Sequence, residues 1–146
     1  MTASSAEVLR ALAQHLADLG VAVYTPTYPA SVPLPAVTFG RLPQSPTLAV
    51  ALNRYHTDTS ADSANPTMRI QLRWRASKLL AVERIADDAH RAIRFNESPD
   101  LTSEPQMWPG GVRVQSCARV ISAPSEPDAN GNWERADSFE LILNPA

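Results

Sequence analysis

The sequence is poor in cysteine, glycine and lysine, and it has no long apolar run. Cys117 is the only cysteine, which excludes an intramolecular disulfide and a zinc site built on cysteines. No stretch approaches the roughly 18–20 apolar residues of a membrane-spanning helix, and the N-terminal residues lack the basic start and apolar centre of a signal peptide. We therefore expect a soluble protein that is not exported and has no membrane partner.

The charge balance gives little general attraction to nucleic acid. The formal net charge is −2 at pH 7, and Lys78 is the only lysine among 13 basic residues. A chain with this charge lacks the overall attraction to phosphates that supports most DNA and RNA binding. A dedicated nucleic-acid-binding function is therefore not expected, although a local basic face is compatible with the sequence.

The length and composition fit a single folded domain over residues 1–146. The chain is 44% hydrophobic and 19% charged, which lies outside the range of disordered sequences. Domains most often contain roughly 100–150 residues, so two separate cores are not expected. Six prolines fall within residues 26–46, and this segment is predicted to be extended because proline fixes φ and removes a backbone donor.

Two segments have the periodicity of amphipathic helices, at residues about 5–19 and about 78–95. Ser4 and Glu7 have the spacing of a capping box before the first segment, and Gly20 is suited to end it. Ser77 is the predicted N-cap of the second. The apolar positions that indicate these helices are Val8, Leu9, Leu12, Leu16 and Leu19 in the first and Leu79, Val82, Ile85, Ala86, Ala89 and Ile93 in the second.

Alternating apolar and polar residues predict the strands of a sheet. The predicted ranges are 36–42, 48–55, 68–76, 112–123 and 134–143, with an edge strand at best over 21–24. The polar residues at about 56–67 predict a long surface loop. The order of these elements predicts an α+β fold in which a mainly antiparallel sheet carries two helices packed on one face.

No group of residues points to catalysis, a metal or a cofactor. Cys117 lies within a predicted strand and outside the local signatures of cysteine enzymes, and no two histidines have the i, i+4 spacing of a helical metal site. The acidic segment that begins at Asp128 lacks the closing glutamate of a calcium loop, because Phe139 stands at that position. We therefore predict a protein that is not an enzyme and that has no catalytic residue, cofactor or metal.

The most concentrated positive feature is an arginine face on the predicted strand 68–76. Arg69, Arg73 and Arg75 alternate with apolar residues, and Arg113 and Arg119 are expected to join them from a neighbouring strand. A solvated sheet face paired with carboxylates, a protein interface and a surface facing nucleic acid are all compatible with this pattern.

Aromatic residues add to the candidate interface. Trp108 lies in a proline-rich segment, where it is expected either to anchor an interface or to fold over the core. The candidate protein-interface residues are Arg54, Tyr55, Arg69, Arg73, Arg75, Trp108 and Arg113.

Several short motifs occur in an order that resembles a known family. They are Phe39-Gly40-Arg41-Leu42-Pro43, Ser45-Pro46, a strand from Ala49 to Leu52 ending at Tyr55-His56-Thr57, the run Arg69 to Arg75, a helix over 81–93, Gly110-Gly111-Val112-Arg113-Val114, Asp128-x-Asn130-Gly131 with Glu134, and Phe139-Glu140-Leu141. Together they resemble the tail terminator, or minor capsid and tail completion, proteins of long-tailed bacteriophages. The likeness covers about residues 5–144, and its specificity comes from the order of the motifs.

The resemblance implies a tail-terminator-like α+β fold and a structural role in the virion. A homo-oligomer, expected to be a hexameric ring, caps the tail tube, stops its polymerisation and provides the head–tail joining surface of the neck. The implied partners are other copies of the chain, the tail tube protein and a head connector or head-closure protein, with DNA only passing through the lumen. Assembly is expected in the host cytoplasm.

Two alternatives remain open from the sequence. One is another phage neck component, such as a head-closure or tail completion protein. The other is a small ligand-binding or hydrolytic α+β domain, because small α+β folds host many functions.

Overall fold

The computed structural model describes residues 3–58, 65–98 and 103–144, which form an α+β fold. A short 3-10 turn, Pro109–Gly111, joins two of the strands. The elements in chain order are α1 (Ser5–Asp18), β1 (Ala36–Phe39), β2 (Ala49–Asp58), β3 (Thr67–Ala76), α2 (Leu79–Ile93), β4 (Gln106–Trp108), β5 (Val112–Ser122), β6 (Glu126–Pro127) and β7 (Trp133–Leu143).

The strands form one mixed sheet with the order β1-β2-β3-β7-β5-β4, and β6 pairs with the start of β7. The β1–β2 pair is parallel, as is a bridge between Val23 and Ala36 at the outer edge of β1, whereas the other strand pairs are antiparallel. The prediction of a mainly antiparallel sheet is therefore corrected to a mixed one. The parallel edge arises because the chain crosses from β1 to β2 without reversing direction.

Both helices cover the same face of this sheet, which curls around them. Helix α2 packs against β3 and β7, whereas α1 contacts β2 on one side and β4 and β5 on the other. Since β2 and β5 are separated by two strands in the sheet, contact of α1 with both requires curvature. One continuous core results, to which Leu12 and Leu16 of α1, Val82 of α2 and the inward side chains of β3 all belong.

The boundaries of the helices follow their local signals. Ser4 caps α1 with both hydrogen bonds of the capping box, and Gly20 has φ 74° just beyond the helix. The N-cap of α2 is Lys78, not the predicted Ser77, and its side chain makes no capping hydrogen bond. Neither helix in the described ranges is long and apolar enough to cross a bilayer.

The strands differ from the predicted ranges at their ends. Strand β2 continues to Asp58, so the predicted loop at about 56–67 begins later, and residues 59–64 lie outside the described residues. Strand β1 ends at Phe39 instead of residue 42. Strands β4 and β6 have three and two residues, which are too few to produce an alternation in the sequence.

Candidate functional site

The arginine face of β3 lies on the side of the sheet that the helices leave open. Met68, Ile70, Leu72 and Trp74 are buried in the core, so their neighbours in β3 project from the opposite face. Strand β7 is the partner of β3, and it places carboxylates opposite the arginines. We call this surface, formed by the outward residues of β3 and β7, the open face.

Two arginines of the open face form ion pairs across the strands. The Arg69 Nε lies 3.0 Å from Glu140 Oε2, and the Arg73 Nη1 lies 3.4 Å from Glu134 Oε1. The Glu140 carboxylate, aided by the Tyr55 hydroxyl, raises the pKa of the Arg69 guanidinium. The open face consequently carries charges of both signs, with two of its three β3 arginines paired to carboxylates of β7.

Arg75 has a different role from its neighbours, because its guanidinium holds a loop. Its Nε donates to the carbonyl oxygen of Thr47 at 2.9 Å, and its Nη2 donates to those of Pro43 and Pro46 at 2.5 and 3.0 Å. The loop contains the cis peptide bond between Ser45 and Pro46. Arg75 is therefore committed to contacts within the chain.

Arg54 and Tyr55 lie at a bulge in β2. The register of β2 against β3 shifts between Arg54 and His56, so that Tyr55 is left without a partner in the ladder and its side chain is 45% exposed. The Arg54 Nη1 donates to the Thr57 hydroxyl at 3.2 Å. The bulge turns an aromatic side chain toward solvent beside Arg69, at one end of the open face.

Three other predicted residues lie elsewhere. Trp108 is only 1% exposed, stacks on the His15 ring at 4.7 Å and donates its indole N–H to Gln106, so it packs into the core and is not a surface anchor. Arg119 lies on the helix-covered side of β5, where it contacts Asp87 and Asp137, and it does not join the open face. Arg113 is on β5 opposite Met107 of β4, across β7 from the β3 arginines.

A buried charge cluster under α2 is absent from the sequence predictions. Arg135 and Asp137 of β7 are 4% and 0% exposed. The Arg135 guanidinium lies 2.9 Å from Asp137 Oδ1, 2.6 Å from Glu83 Oε2 and 2.9 Å from Asp87 Oδ1, and it donates to the Ser122 hydroxyl at 2.7 Å. The hydrogen bonds from Arg135 and Arg119 lower the pKa of Asp87.

The signal for this cluster was present in the sequence. Arg135 and Asp137 have the same parity as Phe139, Leu141 and Leu143, so strict alternation assigns all five to the core face. The cluster joins α2 to β7 and β5, and its polar groups satisfy one another.

The single cysteine, Cys117, lies inside β5. Cys117 is fully buried, and burial raises the pKa of its thiol well above its ordinary value. Among the described residues, no group of three or more histidine, cysteine, aspartate or glutamate side chains is arranged to hold a metal ion.

Comparison with known proteins gives a match in fold. No protein-family model and no curated protein matches the sequence. Among solved structures, the chain is similar to a chain from the virion of a native gene transfer agent particle, with a TM-score of 0.52 and 14% sequence identity. The alignment covers 94% of this chain and 89% of that one, so the two proteins share an overall fold.

Proposed function

We propose that this protein is a structural component of a phage-like virion and acts as a tail terminator. In this proposal, copies of the chain form a ring, expected to be hexameric, that caps the tail tube, stops its polymerisation and offers a surface to the head connector or head-closure protein in the neck. DNA passes through the lumen without being specifically bound. The protein has no catalytic role.

The observation that carries the proposal is the fold shared with a virion chain over nearly the full length of both proteins. The order of motifs along the sequence supports the narrower assignment to tail terminators. The open face supports a role in contact, because Arg69 and Arg73 are exposed charged side chains that pair with carboxylates across strands on the side of the sheet that the helices leave open. Arginine side chains of this kind are common in protein interfaces because their planar fork pairs bidentately with carboxylates.

The proposal is tested by electron microscopy of particles assembled without this gene. Loss of a terminator leaves full heads beside overlong tubes without heads, and a plasmid copy of the wild-type gene restores tails of normal length. Tails of ordinary length that remain unattached would instead assign the protein to head closure or tail completion. Intact infectious particles would refute a structural role and favour a small ligand-binding or hydrolytic domain.

A further inference from the structure

A groove lies beside α2 on the flank that faces β1 and β2. It has a volume of about 550 Å³ and runs between the proline-rich segment, the loop before β2 and the helix. Its apolar lining includes Val32, Leu34, Leu48, Ala81 and Ile85. These side chains are half-buried, which leaves apolar surface for a further chain to cover.

The rim of this groove carries positive charge that the chain itself does not neutralise. Arg84 lines the groove and is exposed, and Lys78 lies at the start of the same helix. Neither side chain forms an ion pair with any residue in the described ranges. The carboxylate at the rim, Asp88, is paired with Arg91. An occupant of the groove is therefore expected to bring carboxylates.

A second exposed surface carries negative charge, and we call it the β6 acidic segment, Glu126–Pro127. Glu126 of β6 is exposed and stands directly opposite Glu134 of β7. Arg73 pairs with Glu134, whereas Glu126 has no ion pair within the described residues. Like charges directly opposite each other across strands are destabilising, and Arg73 offsets only the charge of Glu134, so a cation from another chain would offset the charge of Glu126. Pro127 keeps the segment extended and removes a backbone donor.

The groove and the β6 acidic segment lie on opposite flanks of α2. Ala81 and Ile85 face the groove, whereas Glu83 faces the other flank, where it contacts Arg135 and the Ser125 hydroxyl. A contact between the groove of one copy and the β6 acidic segment of another therefore joins two different surfaces. Such head-to-tail contacts repeat from copy to copy and close into a ring when the rotation allows.

We propose that the groove beside α2 receives the segment Glu126–Pro127 of a second copy, with the Glu126 carboxylate facing Arg84 and Lys78. Pro127 would lie against the apolar lining, and Leu80, which is 80% exposed one turn before Arg84, would be covered at the edge of the contact. The inference rests on the self-assembly that the proposed function includes, and it names the surfaces that would join neighbouring copies.

Charge reversal on each surface tests the contact. Self-association of the full chain is measured by analytical ultracentrifugation at low ionic strength, and we expect Arg84→Glu and Glu126→Arg each to weaken it by about tenfold or more, because like charges then meet across the interface. An equimolar mixture of the two variants restores association. In the mixture, the reversed groove of the Arg84→Glu variant faces the reversed segment of the Glu126→Arg variant, and the unchanged groove of the second variant faces the unchanged segment of the first.

Matched controls reverse charge elsewhere on the surface. Arg10→Glu on α1 and Glu104→Arg before β4 change the net charge by the same amounts and leave association at the wild-type level. All four positions are exposed, so each variant is expected to keep the wild-type melting temperature, and that measurement excludes misfolding.

Three results would overturn the inference. The first is a wild-type chain that stays monomeric up to about millimolar concentration, where even weak specific contacts form. The second is that Arg84→Glu and Glu126→Arg associate as strongly as the wild type. The third is that the equimolar mixture of the two variants does not regain association. The particles assembled without the gene are scored independently of self-association, so a tail-length defect with a monomeric protein would retain the terminator role and reject this interface.

Discussion

Replacing Arg135 by alanine tests whether the buried charge cluster holds α2 on the sheet. Arg135 is 4% exposed and contacts the carboxylates of Asp137, Glu83 and Asp87. After the replacement, Asp137 remains fully buried, and the nearest remaining cation is Arg119, whose Nη1 lies 3.4 Å from Asp137 Oδ2. The variant therefore leaves a buried carboxylate with only a long, partial partner.

The expected loss is large for a single substitution. Removal of one member of a buried ion pair costs about 3–5 kcal/mol, because the remaining charge stays desolvated. For a domain of about this length, each kcal/mol lowers the melting temperature by about 2–4 °C, so the loss corresponds to about 6–20 °C. Arg73 provides the contrast, since its pair with Glu134 is exposed and Arg73→Ala should cost about 0–1 kcal/mol.

Urea unfolding followed by circular dichroism measures both variants. A lower midpoint with an unchanged slope shows that stability, and not the compactness of either state, has changed. The double variant Arg135→Met, Asp137→Leu should recover much of the loss, because an apolar pair of similar volume has no charge to leave unpaired. A decrease in the free energy of unfolding of less than about 1 kcal/mol for Arg135→Ala would refute the reasoning, since a cost that small is typical of exposed ion pairs.

Three further predictions concern the core and the loop that Arg75 holds. Burial lowers the pKa of His15, so the unfolded chain binds more protons than the folded chain as the pH falls below about 6.5. The free energy of unfolding should therefore decrease from about pH 7 to about pH 5. His15→Leu should reduce this pH dependence in urea titrations at the two pH values. Trp108→Ala should cost about 3–5 kcal/mol because it empties a buried site, and a loss near zero by the same assay would contradict its core position. Arg75→Ala should cost about 1–3 kcal/mol and increase amide hydrogen exchange at Thr47, whereas unchanged exchange there would show that the loop does not depend on the guanidinium.

The elements that the sequence predicts well are those whose signal is local. The stripe of α1 and its capping box lie within a few residues of one another, and the alternation of β3 follows directly from the pleat of a strand. The parallel pairing of β1 with β2 has no such signal, because it depends on the path of the chain between them. Strand β4 is held by its pairing with β5 and by the burial of Trp108, not by a pattern of its own.

In the candidate site, too, the sequence predicts the local pattern of residues and does not predict the contacts between distant parts of the chain. Alternation placed Arg69, Arg73 and Arg75 on one face, but their partners come from distant parts of the chain: Glu140 is 71 residues from Arg69, and Glu134 is 61 residues from Arg73. A single sequence gives no means to pair these arginines with their carboxylates, so it predicts a more basic face than the structure shows. The sequence does not decide between a surface and a core position for Trp108, because its segment has no periodicity.

The arginine-rich composition has a structural consequence that the charge count does not reveal. Arg135 uses its three nitrogens to reach three carboxylates and a hydroxyl, and Arg75 donates to three carbonyl oxygens. A lysine has three donors on one atom and cannot present a planar fork to partners in different directions. These two arginines are thus fixed by internal geometry, whereas Lys78 at the start of α2 and Arg84 within it form no ion pair with any residue that the structure describes. The guanidinium groups of Arg135 and Arg75 therefore stabilise the fold, whereas the positive charges of Lys78 and Arg84 are available to another molecule.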